Sequence, residues 1–170
     1  DAIENLVQDT ILLDALSGKT GKLATSADLY NAKAALVIGS DLAQQHPFLA
    51  FQLRANYRHH QAAVYTVTSG PVREEQYAAK SVMCAAGQEL ATAQSLAEEL
   101  KKHPDLVIVF GDAVKGQAVK ALVEFGESLG VPVKYVCLVD YANSRGAMDM
   151  GLLPELGPGY HAAPAAGLTR

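Results

Sequence analysis

Four short runs of apolar residues, rich in β-branched side chains, constrain the fold of this chain most strongly. They are residues 34–38 (AALVI), 62–67 (AAVYTV), 106–110 (LVIVF) and 133–139 (VKYVCLV). Apolar and polar residues mostly do not alternate within them, which is typical of strands that are covered on both faces. The sequence therefore predicts a mainly parallel sheet of at least four strands.

Segments with helical spacing separate these runs. Apolar residues recur at intervals of three, four and seven within residues 90–100 and again within 118–129. A third helix is predicted from Pro47 to about Arg58, because proline suits the first helical position. The repeated order of strand, helix and strand predicts an α/β, three-layer Rossmann-like domain with helices on both faces of the sheet.

The remaining segments are less regular. A helix over roughly residues 2–16 is expected before the first strand, and residues 69–86 are interpreted as a connection with some helix. We expect one α/β domain over residues 1–153, followed by an extended tail or linker over 154–170 that is rich in proline, glycine and alanine. The chain begins with Asp1 and lacks the layout of a signal peptide, so we expect a fragment of a longer chain.

The composition of the chain limits the classes of partner that we expect. The chain has 14 Lys and Arg against 18 Asp and Glu, a net charge of −4, which argues against nucleic acid as a partner. Charged residues make up 19%, below the roughly 25% of an average soluble protein, so part of the surface is expected to contact a partner. No apolar run approaches the roughly 18 to 20 residues of a transmembrane helix, so no direct membrane insertion is expected.

Two loops that follow predicted strands are the candidate ligand sites, because ligands of open parallel sheets lie beyond the carboxyl ends of the strands. They are residues 39–47 (GSDLAQQHP) and 111–116 (GDAVKG). Either loop is suited to receive phosphate, and Lys115 would add positive charge. Neither has the dinucleotide or P-loop spacing. The alternative is that Asp41 and Asp112 are helix caps and that the glycines permit tight turns.

The histidines and cysteines give no metal or catalytic motif. His59 and His60 are predicted to be a surface pair at a helix end, and His103 another helix-end residue. His46 is either a ligand-facing side chain or a helix cap. Cys84 and Cys137 lie among apolar neighbours, which favours reduced core thiols, and iron–sulfur clusters normally take four cysteines. We therefore predict no catalytic residue, no metal ligand and no redox centre in this segment.

Two segments of the sequence resemble the molybdopterin oxidoreductase family. Residues 36–41 (LVIGSD), followed by His46-Pro47, are similar to the family's pattern of a strand, G-S-N/D and then H-P. Residues 142–154 (ANSRGAMDMGLLP) with 157–160 (GPGY) are similar to its N-S-x-G-A-x-D-M-G-x-L-P…P-G-Y segment. The second segment is most similar to the version in the large iron–sulfur subunit of respiratory NADH:quinone oxidoreductase (complex I). The resemblance runs from about residue 23 to 160.

The resemblance implies a Rossmann-like domain of a longer electron-transferring oxidoreductase subunit, whose iron–sulfur clusters, including 4Fe-4S clusters, lie in other parts of that chain. It implies a scaffold or subunit-interaction role without catalysis in this segment. The implied partners are other domains of the same chain and other subunits of a respiratory complex. The implied location is cytoplasmic, peripheral on the cytoplasmic face of the inner membrane.

The alternative function is a molybdopterin guanine dinucleotide-binding domain of a molybdo- or tungsto-oxidoreductase such as formate dehydrogenase. In such members the matching loop lies near the nucleotide half of the cofactor. The resemblance therefore implies dinucleotide contacts at Gly39, Ser40, Asp41, His46 and Pro47. An unrelated nucleotide-binding module, such as the central domain of a thiamine-diphosphate enzyme, shares the same strand and helix pattern and stays open.

Overall fold

The computed structural model describes residues 19–111 and 113–138, together with residues 12, 15, 16, 146 and 150. Most of the predicted helix over residues 2–16 therefore lies outside the described residues, as do most of the segment 142–154 and the predicted tail 154–170. Within the described residues the fold is an α/β structure with a five-stranded, all-parallel sheet. The predicted Rossmann-like three-layer class is confirmed.

The strand order is β3-β2-β1-β4-β5, so the sheet grows outward in both directions from the neighbours β1 and β4. All four pairings are parallel, and Leu36 of β1, for example, is in register with Tyr65 of β2 and Ile108 of β4. The strands are β1 (Ala34–Ile38), β2 (Ala63–Thr68), β3 (Lys80–Met83), β4 (Leu106–Phe110) and β5 (Val133–Cys137). The four strands predicted from the sequence are all present.

The strand β3 corrects the prediction for residues 69–86, which contain this strand and the 3-10 helix Arg73–Tyr77 in place of a plain connection. β3 is an edge strand of four residues, and only Val82 packs partly against the core. Lys80 and Met83 are exposed. An edge strand with so little buried surface leaves no apolar run to detect.

Helices cover both faces of the sheet. The described α-helices are α1 (Ser26–Asn31), α2 (Leu42–Gln45), α3 (Pro47–His60), α4 (Glu89–Gln94), α5 (Ala97–Leu100) and α6 (Gln117–Ser128). The predicted helix that starts at Pro47 is confirmed, with proline in its first turn. The predicted helix within residues 118–129 is confirmed as α6. None of the helices within the described part of the chain is both long and apolar enough to cross a membrane.

The single helix predicted over residues 90–100 is wrong, because the structure divides it into α4 and α5. The Ser95 hydroxyl donates to the Thr92 carbonyl oxygen at 2.6 Å, and the Ser95 backbone N–H bonds to the same oxygen at 3.1 Å. Serine that bonds its own backbone in this way competes with the regular helical ladder. Leu96 and Leu100 are still buried in the divided helix. The spacing of the apolar residues therefore predicts which side chains are buried, but it does not require one continuous helix.

The core has two layers, one on each face of the sheet. Leu36 and Ile38 of β1 belong to the cluster that also contains the buried residues of α4, α5 and α6. Ala35 and Val37 of the same strand belong to the cluster under α1 and α3. All five side chains of β1 are fully buried, which explains why apolar residues do not alternate with polar ones in this strand.

A buried side-chain amide joins α3 to α1. Asn56 of α3 is fully buried, and its Nδ2 donates to the carbonyl oxygens of Leu29 and Ala32, each at 2.8 Å. These carbonyls lie where α1 ends, and helix ends leave carbonyl groups without partners inside the helix. Asn56 therefore fixes the position of α3 against the sheet.

Replacement of Asn56 by alanine is expected to lower the free energy of unfolding by about 2 to 3 kcal/mol, because it removes two hydrogen bonds and leaves buried carbonyls without a donor. Urea denaturation measures this change. The matched control is Asn31→Ala, whose side chain bonds to Ala27 on an exposed surface; it should change stability by less than about 1 kcal/mol. Equal stability of the two variants would contradict the assigned role of Asn56.

Candidate functional site

The loops after β1 and β4 meet at the point where the sheet changes its direction of growth. β1 leads to α3 on one face, and β4 leads to α6 on the other. The crevice at such a switch point is the usual ligand site of open parallel sheets. Gly39 and Ser40 follow β1, and Gly111 follows β4, so both loops proposed from the sequence lie at this edge.

The two loops pack tightly against each other. Gly39 has φ +64°, and its N–H donates to the Val67 carbonyl oxygen at 2.8 Å. A Cβ placed on Gly39 would collide with the Cβ of Ala113 and lie 3.7 Å from the Cγ of Glu89. The predicted role of this glycine in a tight turn is therefore confirmed, and its missing side chain also admits the opposite loop.

The same close approach is repeated one residue further along. A Cβ placed on Gly111 would lie 2.9 Å from the Ser40 Oγ and 3.4 Å from the Leu138 Cβ. Ser40 is buried, and its hydroxyl points back toward the Ile38 carbonyl oxygen at 3.4 Å. The described parts of the two loops therefore lie in close contact at the switch point.

Acidic side chains lie around the turn after β1. Asp41 is the N-cap of α2, and its carboxylate accepts from the Gln44 N–H at 3.1 Å, which confirms the predicted cap. Glu74 of the 3-10 helix lies near this turn, since the charge of Asp41 acts on the pKa of its carboxyl. A donor that a phosphate would use, the Gln44 N–H, is therefore bonded to a carboxylate.

Glu74 is buried, and its Oε2 has no hydrogen-bond partner among the described residues. Burial raises the pKa of Glu74, and the nearby charge of Asp41 raises it further. Hydrogen bonds from its own backbone N–H and from Ala43, and the charge of Arg73, act in the opposite direction. With Glu89, which is also buried, the edge carries three acidic side chains around Gly39 and α2.

His46 and Pro47 lie one turn further along, at the start of α3. His46 is the N-cap residue, but its side chain makes no capping hydrogen bond; its carbonyl oxygen accepts from Leu49 and Ala50. Pro47 lines a surface groove beside the 3-10 helix Arg73–Tyr77. The five residues predicted as dinucleotide contacts thus have different settings. Gly39 and Ser40 lie where the two loops meet, Asp41 and His46 are N-cap residues, and Pro47 lines the groove.

The second predicted loop leads into α6. Gly116 is its N-cap residue with φ +55°, and Lys115 is exposed. The Val114 N–H donates to the Gly111 carbonyl oxygen at 3.1 Å, which closes the turn. Asp112 lies outside the described residues, so its predicted role as a cap stays a prediction.

The predicted helix-end histidines are confirmed, and each has a partner. The Nδ1 of His59 lies 2.9 Å from the Tyr30 hydroxyl, and the Nδ1 of His60 lies 3.0 Å from the Tyr30 carbonyl oxygen. His103 lies shortly after α5, with its Nε2 2.8 Å from the Tyr65 hydroxyl. No group of three or more histidines, cysteines or acidic residues suited to a metal ion occurs within the described ranges.

Cys84 and Cys137 are reduced thiols, as predicted. Cys137 is buried and Cys84 is half-buried. Their positions on β5 and directly after β3 place them at opposite edges of the sheet. The two thiols are therefore separate packing residues of the sheet.

A second candidate site is a groove of about 730 Å³ that was not predicted from the sequence. One wall is α3 and the other is the 3-10 helix Arg73–Tyr77; Tyr57 and Tyr77 touch across it with ring centroids 5.3 Å apart. Arg54 and Arg58 line the first wall and Arg73 the second. The sequence does hold a signal for it, since the 14 residues of α3 include no Asp, Glu or Lys.

Comparison of the sequence with models of protein families and with curated proteins gives no match.

Replacement of Gly39 by alanine is expected to lower the free energy of unfolding by about 3 kcal/mol, because it adds a left-handed backbone penalty to a collision with Ala113. Urea denaturation measures the loss. Gly70→Ala is the control, since nothing lies within 4 Å of a Cβ there. The double variant Gly39→Ala/Ala113→Gly should recover the part that is due to the collision. A Gly39→Ala protein as stable as the control would show that the two loops do not close on each other.

Glu74→Gln is expected to flatten the pH dependence of stability. The folded-state pKa of Glu74 is raised above its ordinary value of 4.5, so the folded state holds the proton longer than the unfolded state. This stabilisation is complete below pH 4.5 and is lost as pH rises through the folded-state pKa. The variant should therefore be the more stable protein at neutral pH. Unfolding measured across this range tests it, with Glu124→Gln at an exposed position as the matched control. A parallel pH profile for Glu74→Gln would contradict the prediction.

Proposed function

We propose that this chain is a scaffold and subunit-interaction domain of the large iron–sulfur subunit of an NADH:quinone oxidoreductase. The parent transfers electrons, and this segment contributes fold and contact surfaces without a catalytic residue of its own. Its place is peripheral, on the cytoplasmic face of the inner membrane, where it contacts other domains of its subunit and neighbouring subunits.

The observation that carries the proposal is the close approach of the two loops at the switch point. The sequence segments at residues 36–47 and 142–160 resemble a family with two branches, one that binds a pterin dinucleotide and one that keeps the fold without it. At the switch point, Gly39 lies against Ala113 and Ser40 lies against Gly111, and the Asp41 carboxylate accepts from the Gln44 N–H. A pyrophosphate would meet negative charge where a binding site needs free donors.

A surface role also agrees with the side chains that the fold leaves exposed. Phe48 and Phe51 of α3 are 61% and 66% exposed, and Met83 on the edge strand is 61% exposed. Phe48 and Phe51 lie one turn apart on the same helix, and contiguous exposed apolar side chains mark interaction sites. They support a domain that is covered by neighbours in a larger assembly.

Guanine nucleotide is expected to leave the melting temperature of the full chain unchanged. A ligand present at about 100 times its Kd adds about 2.7 kcal/mol to the native state. That stabilisation raises the melting temperature of a chain of this size by roughly 5 to 10 °C. Thermal unfolding with GMP and GDP at millimolar concentration tests this, with adenine nucleotides as the control. A rise specific to guanine nucleotide, or stoichiometric molybdenum, tungsten or iron in the purified chain, would overturn the proposal in favour of the dinucleotide-binding alternative.

The gene that encodes the chain gives an independent test. Cysteine clusters with plant-ferredoxin-like and four-iron spacing, encoded upstream of Asp1 in the same reading frame, are the expected result. A reading frame without them would remove the iron–sulfur parent from the proposal.

A further inference from the structure

The groove between α3 and the 3-10 helix Arg73–Tyr77 has a composition unlike the rest of the chain. Positive charge is concentrated there although the whole chain has a net charge of −4. Arg54, Arg58 and Arg73 are all exposed, and none of them forms an ion pair with a carboxylate of the described residues. Among those residues, Glu74 is the one acidic side chain in the lining, and it is buried.

Aromatic surface continues the groove along α3. Phe51 lies in the lining, and Phe48 is exposed one turn earlier on the same helix. Tyr57 is 40% exposed although its ring also packs on Tyr77. Exposed aromatic and arginine side chains, with Lys and Glu depleted, are the composition of protein-contact cores.

The dimensions suit a polypeptide. From Phe48 to Arg58 the helix rises about 15 Å, at about 1.5 Å per residue. An extended segment of about five residues spans that distance, at about 3.3 Å per residue. A small anion would engage one or two guanidinium groups and leave both phenylalanines uncovered.

The walls of the groove are held in place before anything binds. Pro47 begins α3, and Asn56 anchors the buried face of the helix through two hydrogen bonds of 2.8 Å. The Tyr57–Tyr77 ring contact joins the two walls. Preorganised walls reduce the entropy lost on binding.

We propose that this groove docks an acidic polypeptide segment, whose carboxylates pair with Arg54, Arg58 and Arg73 while an apolar side chain of the segment packs on Phe51. Guanidinium groups favour carboxylate partners because two parallel N–H groups match the two oxygens. That the segment belongs to a neighbouring subunit rests on the function proposed above; the acidic character of the segment rests on the groove alone.

The test uses the full chain and a fluorescein-labelled peptide of about eight residues, in which aspartate and glutamate alternate with leucine and phenylalanine. Fluorescence anisotropy is expected to show saturable binding that weakens as salt is added. A peptide with asparagine and glutamine in place of the acidic residues should bind about tenfold more weakly or worse. Equal binding of the two peptides, or no binding of the acidic one, would overturn the proposal.

Variants locate the binding on the protein. Arg54→Gln/Arg58→Gln is expected to weaken the acidic peptide about tenfold, and Phe51→Ala severalfold. The charge-matched control is Lys33→Gln/Lys102→Gln, two exposed residues outside the groove lining, and it should stay within about twofold of the unaltered chain. All the substituted side chains are exposed, so unchanged melting temperatures will show that the variants fold. Equal losses in the two double variants would show a general charge effect and overturn the assignment.

Two further results separate this proposal from the others. Displacement of the peptide by inorganic phosphate or by a nucleotide at micromolar concentration would show a small-anion site and overturn docking. Absence of iron–sulfur cysteine clusters from the parent reading frame, with peptide binding still dependent on Arg54 and Arg58, would overturn the proposed parent subunit and support the groove. Presence of those clusters without peptide binding would support the proposed parent subunit and overturn the docking groove.

Discussion

The close approach of the loops after β1 and β4 determines what the carboxyl edge of this sheet can do. In an open parallel sheet these two loops diverge and leave a crevice between them. Here Gly39 has no side chain, so Ala113 lies where a Cβ would be, and Ser40 takes the corresponding space over Gly111. The two loops therefore pack against each other along the described part of this edge.

Acidic and basic side chains are concentrated in different places. Asp41, Glu74 and Glu89 lie around the turn after β1, whereas the arginines lie along the groove of α3. The 3-10 helix Arg73–Tyr77 contributes to both, since successive residues of such a helix point about 120° apart. It sends Glu74 into the interior and leaves Arg73 exposed. One short segment thus supplies both a buried carboxyl group and an exposed arginine of the groove.

Sequence patterns predict the strands that are buried on both faces and the helix ends that a nearby residue marks. β1 and β4 are buried on both faces, so an apolar run marks each of them, and Pro47 marks the start of α3. β3 has one partly buried residue and no such run, and the break between α4 and α5 lies at Ser95, whose hydroxyl bonds to the Thr92 carbonyl oxygen. The residues of the site differ in the same respect. Gly39 and Ser40 are predictable from a strand end, whereas the approach of Glu74 to Asp41 joins residues far apart in the sequence, which no local pattern encodes.

The arginines of the groove are arranged at a cost to the isolated fold. Arg54 and Arg58 are neighbours on the surface of α3, one turn apart, and like charges at this spacing destabilise a helix by about 0.2 to 0.5 kcal/mol. An acidic residue within a turn of such a pair would offset the repulsion, but α3 has none. Glu74, the acidic residue of the groove lining among the described residues, is buried. A carboxylate from outside this part of the chain would therefore relieve the repulsion between the two arginines. That relief adds to the binding free energy of an acidic partner.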